Sequence, residues 1–226
     1  MSRPERALLL NGSPRGRRSG SESLGSYLLA RLVERGMDTE RFRIGANLPS
    51  DQKLSEMLSA VERADLVILA APLYVDSQPA PVVRAMEYLA EHRCGSSGEN
   101  APQFMVILNC GLPETLNNDV ALRIYRKFAS EAGLRWSGGM ALGMGEALAQ
   151  QPLRRVGRLA RKVCRALDRA AAELAKGNDV PDEAVALMAK SLMPHWLYTW
   201  IAHRSWTRQA KEHGATTPLD ARPLEQ

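Results

Sequence analysis

The sequence predicts an α/β protein built on a parallel sheet, with helices on both faces. Three observations predict it. Short apolar runs alternate with helix-period patterns from residue 6 to about residue 145. Two of those runs, Leu66-Val67-Ile68-Leu69-Ala70-Ala71 and Phe104 to Leu108, are continuously apolar. Strands buried on both faces read that way. The three chemically distinctive loops, 12–21, 72–81 and 109–114, each follow such a run. Open α/β sheets bind ligands beyond the carboxyl ends of their strands, so the agreement counts as one signal.

Each element has its own warrant. Ala7-Leu8-Leu9-Leu10 is a short buried strand, and Leu24, Leu28 and Leu32 begin a helix after it. Gly36 ends that helix as a C′ residue. Thr39 to Ile44 suits a second strand, and Asn47-Leu48-Pro49-Ser50 a loop. Ser50 caps a helix whose apolar face is Leu54, Met57, Leu58 and Val61. Asp65 opens the third strand, and Val82, Val83, Met86 and Leu89 carry the helix after it. Cys94 to Pro102 reads as a mobile connection. Val120 to Ala132 is helical and stops at Gly133, and Trp136 to Leu142 is a final short strand.

The last third changes character. Leu153, Val156, Ala160, Val163, Leu167, Ala170 and Leu174 keep a 3-4 spacing, which predicts one long amphipathic helix over 152–176. A second helix begins near Pro181 and a third after Pro194. Trp196, Leu197, Trp200 and Ile201 fall on one side of the third, and the tail around Leu219 to Pro223 reads as irregular. The expected division is therefore a sheet domain over 1–150 and a helical extension over 151–226, packed on that domain or on a partner subunit.

Composition narrows the class. Hydrophobic residues make up 45% and charged residues 24%, as in ordinary soluble domains. No stretch approaches the roughly 20 apolar residues of a membrane span. The first apolar run is too short for a secretory h-region. Cys94, Cys110 and Cys164 stand far apart and match no zinc or iron–sulfur spacing. A cytoplasmic protein with reduced thiols is expected. Net charge is +5. Residues 151–176 hold eight Lys/Arg against two Asp/Glu, so the excess sits on one segment. Three partners suit that segment: the sheet or a second subunit beneath snorkelling side chains, an anionic membrane surface, or nucleic acid. The last ranks lowest because no aromatic residues interleave with the charges. The Trp-bearing helix suits packing on its neighbour or a dimer interface.

The loop Gly12-Ser13-Pro14-Arg15-Gly16-Arg17-Arg18-Ser19-Gly20-Ser21 runs from a strand into a helix N-terminus. The first N–H groups of a helix lack intrahelical partners, and the dipole favours an anion there. Two readings stay open: a phosphate site with hydroxyls from Ser13, Ser19 and Ser21, or a plain turn in which Ser19 or Ser21 is an N-cap. Arg17 and Arg18 suit either a dinucleotide 2′-phosphate or solvent. Cys110 is either a ring contact or a small buried residue, with the second favoured. His92, His195, His203 and His213 show no ligand spacing, so no metal is expected. Gly143-Met144-Gly145 fails as a dinucleotide fingerprint because Leu148 occupies the third glycine position.

Taken together the loops resemble those of the flavodoxin-like NAD(P)H-dependent FMN reductases. Gly12-Ser13-Pro14-Arg15 with Ser19-Gly20-Ser21 and Leu24 resembles that family's phosphate loop. Pro72-Leu73-Tyr74-Val75-Asp76-Ser77, followed by Pro79-Ala80-Pro81, resembles its second flavin loop, and Asn109-Cys110-Gly111 stands where the third should be. The resemblance covers residues 6 to about 145. It implies a doubly wound five-stranded parallel sheet of order 2-1-3-4-5. It also implies FMN as cofactor, NAD(P)H as co-substrate, and a quinone or nitro compound as a typical acceptor. Ser13, Ser19 and Ser21 would hold the FMN phosphate, with Arg15 at its border. Pro72, Leu73, Tyr74, Val75 and Ser77 would wrap the ring edge, and Asn109, Cys110 and Gly111 the other side. Gly20 departs from the Asn common there, which removes one side-chain contact. No catalytic side chain is implied, since the flavin carries the chemistry. A homodimer is expected. The alternatives are a flavodoxin-like electron carrier and a protein of this fold that binds no flavin and acts through its C-terminal helices.

Overall fold

The computed structural model describes residues 3–45, 51–95, 101–148 and 151–214. The loop expected at 47–50, most of the connection 94–102 and the tail beyond 214 lie outside the described residues. Five strands form one sheet: β1 (Arg6–Asn11), β2 (Asp38–Arg43), β3 (Leu66–Pro72), β4 (Gln103–Asn109) and β5 (Arg135–Leu142). Every pairing is parallel and the order is β2-β1-β3-β4-β5. This is the doubly wound order that the loop resemblance implies, with the chain reversing direction at β1 and β3.

Period-two alternation sorts the side chains into two cores. Leu9, Ile68, Met105, Ile107 and Met140 face one way, and meet α1 (Gly20–Val33) and α5 (Arg161–Leu174). Leu8, Leu10, Val67, Leu69 and Val106 face the other way. They meet α2 (Asp51–Arg63), α3 (Ala80–His92) and α4 (Asp119–Glu131). α1 lies close on the sheet because Gly25 has no side chain. A Cβ there would stand 2.7 Å from Leu9 Cδ1 and 3.2 Å from the Ala70 Cβ.

The C-terminal third differs from its sequence reading first in its long helix. The single long helix over 152–176 is two 3-10 turns, Leu153–Arg155 and Gly157–Ala160, followed by α5. Gly157 has φ +74°, a left-handed residue that interrupts the helical ladder. The apolar spacing survives the break: Leu153, Ala160, Val163, Leu167, Ala170 and Leu174 are all buried. Arg161, Lys162, Arg165 and Arg169 are exposed on the outer face. Tyr27 ties α1 to α5, its hydroxyl donating to Asp168 at 3.0 Å. Burial first, then Cys164 and Asp168, hold that phenol well above the usual tyrosine range.

Compact units divide after Leu192 instead of near residue 150. The reason is that α5 and α6 (Asp182–Met188) complete one of the two cores, with Ala184 and Met188 fully buried. The second unit, residues 193–226, holds α7 (His195–Glu212), which buries none of its residues. No described helix is long and apolar enough to cross a membrane.

A chain ending at Leu192 should therefore keep a cooperative thermal transition by circular dichroism. A chain ending at residue 150 should aggregate, because it bares the face that Val163, Leu167 and Leu174 cover. Within the full chain, Leu167→Ala should lower stability by about 2–5 kcal/mol in a denaturant titration.

Candidate functional site

The site is assembled at the carboxyl ends of β1, β3, β4 and β5. After β1 the chain turns through an Asx-type contact: Asn11 Oδ1 accepts from the Ser13 N–H at 2.9 Å. The Asn11 amide donates to Glu22 in the first turn of α1. Ser19 is the N-cap of α1. Its hydroxyl accepts from Glu22 N–H at 3.0 Å and donates to Gly16 O at 2.7 Å. Ser21 donates to Asn109 Oδ1 at 2.7 Å. Two of the three loop hydroxyls are thus engaged within the protein. Ser13 is buried, and its hydroxyl makes no hydrogen bond to any described residue.

Arg15 does not point freely into the loop. Its Nη1 meets both carboxylate oxygens of Glu146 at 2.8 Å, and both side chains are more than half exposed. The pair ties the phosphate loop to the 3-10 turn Gly145–Leu148 after β5. Such an exposed pair contributes about 1 kcal/mol or less. The same turn explains Gly20. A Cβ there would stand 3.2 Å from Gly145 O and 3.3 Å from Asn109 Nδ2. A side chain there, such as the Asn of the resembled motif, would need the Gly145 carbonyl and the Asn109 amide to give by a few tenths of an ångström.

The loop after β3 is a tight reversal. Tyr74 and Ser77 exchange backbone hydrogen bonds, Tyr74 N–H to Ser77 O at 2.9 Å and Ser77 N–H to Tyr74 O at 3.1 Å. Val75 and Asp76 between them have φ +47° and +61°. Two positive φ values make this a type I′ turn, which favours Asn-Gly over a β-branched residue. Val75 is 98% exposed, so no packing offsets its strain. Gln78, which sequence reading passed over, is buried and donates to Ala121 O at 3.3 Å, anchoring the reversal to α4.

Asn109 joins the three loops. Its carbonyl accepts from Leu73 N–H at 2.9 Å, its amide oxygen accepts from Ser21, and the third loop starts from it. Cys110 lies inside that third loop. Its N–H donates to Leu142 O at 3.0 Å, and its sulfur accepts from Asn118 Nδ2 at 3.3 Å. The thiol is buried against the carbonyls of Leu112 and Glu114. Gly111 is exposed beyond it, and Pro72 is the last residue of β3. The structure brings Ser13, Ser19, Gly20, Ser21, Leu73, Asn109 and Cys110 together at one strand-end cluster. It turns Arg15 toward Glu146 and Val75 toward solvent.

The donor set fits a phosphate. The first-turn N–H groups of Gly20 and Ser21 have no intrahelical acceptors, the Ser13 hydroxyl is unengaged, and the α1 dipole points there. Sequence reading missed Asn11, Gln78 and Glu146, which shape the loops through contacts 11, 43 and 131 residues away in the chain. No local pattern marks them.

Residues 6–109 match the family model described as NADPH-dependent FMN reductase. The match spans β1 to β4, the part of the chain that builds the first two loops and Asn109. No curated protein matches the sequence. Solved structures agree on the fold. One, an FMN-dependent NADH-azoreductase from Bacillus anthracis in complex with FMN, is 15% identical with a TM-score of 0.56. It covers 76% of this chain and all of its own. A second, an NAD(P)H:quinone oxidoreductase from Methanothermobacter marburgensis, is 16% identical with a TM-score of 0.54, over 75% of this chain and 96% of its own. A third, a Streptococcus flavodoxin, is 16% identical with a TM-score of 0.50, over 75% and 97%. These likenesses establish a flavodoxin-like fold.

Replacing Val75 by Asn should raise stability by about 1 kcal/mol, read as a higher unfolding midpoint, because Asn tolerates the left-handed conformation. Asn109→Ala should lower stability by about 1–3 kcal/mol in the same assay, since it strands the buried Ser21 hydroxyl.

Proposed function

We propose that the chain is an FMN-dependent oxidoreductase that takes hydride from NADH or NADPH and passes reducing equivalents to a small acceptor such as a quinone or a nitro compound. One observation carries this reading. An anion-ready helix N-terminus, the unengaged Ser13 hydroxyl and the two further loops converge at Asn109, within the segment that matches the FMN reductase family.

Bound FMN would supply the ring that accepts and donates hydride; the protein's part is binding, orientation and exclusion of water. Ser13 and the N–H groups of Gly20 and Ser21 would hold the phosphate. Ser19 would act indirectly, by capping α1 and fixing Gly16 O. Leu73, Tyr74 and Ser77 would border the ring edge, with Pro72 and Val75 setting the shape of the reversal. Asn109, Cys110 and Gly111 would line the other side, chiefly through backbone. Arg15 would close the outer edge through its pair with Glu146.

The azo- and quinone-reductase names of two fold neighbours support a small acceptor. A flavodoxin among the neighbours keeps the carrier alternative in view. Sustained NAD(P)H oxidation with small acceptors separates the two. A homodimer is supported by an open groove of about 640 Å³ between α3 and α4, where Val83, Met86, Val120, Ile124 and Phe128 are rimmed by Glu87, Arg123, Lys127 and Glu131. Sedimentation of the full chain reads it directly. The unpaired thiols of Cys94, Cys110 and Cys164 suit a reducing, cytoplasmic setting.

The first test is to mix purified protein with FMN, desalt it, and record the visible spectrum. Retained flavin bands are expected from the wild type. Ser13→Glu should lose them while its circular dichroism stays unchanged, because a carboxylate then faces the phosphate. Equal FMN affinity in the two proteins would remove this loop from the site.

A further inference from the structure

The cations around the phosphate loop are not equivalent. Arg15 is held by Glu146. Arg41 on β2 donates to Glu22 at 3.3 Å and to the Ser26 hydroxyl at 2.9 Å. Both charges therefore have acceptors, whereas Arg17 and Arg18, on the loop itself, are exposed and make no ion pair with any described residue, so contact with the loop backbone, and not the lack of a partner, sets the next arginine apart. Arg43, at the carboxyl end of β2, makes no ion pair or side-chain hydrogen bond with any described residue.

Its guanidinium nevertheless lies against the loop. A Cβ built on Gly16 would stand 3.2 Å from Arg43 Nη1, 3.3 Å from Cζ and 3.5 Å from Nε. Three atoms at nearly equal distance from that one point mean that the guanidinium turns its face, and not one tip, toward the side-chain position of Gly16. Gly16 has φ +57°, a backbone conformation that favours a residue without a side chain, and the arginine lies in the space that this leaves open. Register fixes the approach from the other side: Arg43 pairs with Asn11, whose side chain shapes the turn through Ser13 N–H. An edge-strand arginine that served only to keep the sheet edge solvated would have no reason to lie on this loop.

We propose that Arg43 binds the phosphate monoester of the flavin and supplies the side-chain contact that Gly20 cannot make. The inference rests on the FMN reading above and adds to it a residue from outside the loop. A guanidinium presents paired N–H donors in a planar fork that matches phosphate oxygens, and carries a charge that Arg15 shares with Glu146. Arg43 thereby distinguishes FMN from riboflavin, which has the same ring and no phosphate.

The test is a fluorescence titration of the full-length wild type, Arg43→Leu and Arg43→Lys with FMN and with riboflavin, alongside their unfolding midpoints. Arg43→Leu should weaken FMN by about tenfold to a hundredfold, the range for a charged hydrogen-bond partner, and leave riboflavin affinity and the midpoint unchanged. Arg43→Lys should fall between, keeping the charge and losing the fork. Wild type that binds FMN, with Arg43→Leu binding it equally well, overturns this inference and leaves the FMN reading standing. Equal losses for both flavins also overturn it, and make Arg43 a support for the loop. Wild type that binds no flavin removes the FMN reading and this inference together.

Discussion

The site depends on one buried residue, Asn109. It is the last residue of β4, and it meets the first loop through its amide oxygen and the second through its carbonyl. Its amide nitrogen also fills the space beside Gly20. Loops are held in place when their polar groups are satisfied by something rigid, and a central strand is the most rigid support available. Three segments separated by dozens of residues become one surface because each bonds to the same strand end.

Electrostatics then decides what that surface suits. The start of α1 offers unpartnered N–H groups, and Ser19 caps the helix without covering them. The acidic residue in the first turn, Glu22, is engaged by Asn11, Ser26 and Arg41, so its charge is turned aside from the loop. Arg15 is partnered by Glu146, and Arg43 lies on the loop with no ion-pair partner among the described residues. The arrangement leaves a local excess of donors and positive charge at the strand ends. A phosphate-bearing ligand is the natural complement, and the family match over residues 6–109 supports FMN as that ligand.

The basic C-terminal segment belongs to folding before function. The buried stripe of α5 closes a core that α1 alone leaves open, and its arginines stand on the outer face. The side chains that raise the protein's net charge are thus spread over a solvated surface, although Arg154, ahead of α5, lines a groove with Arg17 and Glu22. α7 forms a unit of its own, and its tryptophans at 196, 200 and 206 are exposed on it.

The sequence by itself determined the element order, the parallel sheet and the buried stripes. These follow from local periodicity: continuous apolar runs at 66–71 and 104–108, and 3-4 spacing after 153. The three loops at strand ends were legible for the same reason, since Gly, Ser and Pro act on the residues beside them. The Ser19 cap was legible as one of two readings. Tertiary structure alone decided the rest. Periodicity carried the apolar stripe past Gly157 but did not register the left-handed residue that ends the helical ladder there. The loop resemblance implied Arg15 at the phosphate border and gave no sign of Glu146, because an ion pair across 131 residues leaves no mark on either neighbourhood. Gln78, Glu146 and Arg43 stand among ordinary polar residues in the chain and acquire meaning only from what folding sets beside them. Local patterns fix which atoms a segment buries, whereas long-range register fixes which polar atoms meet.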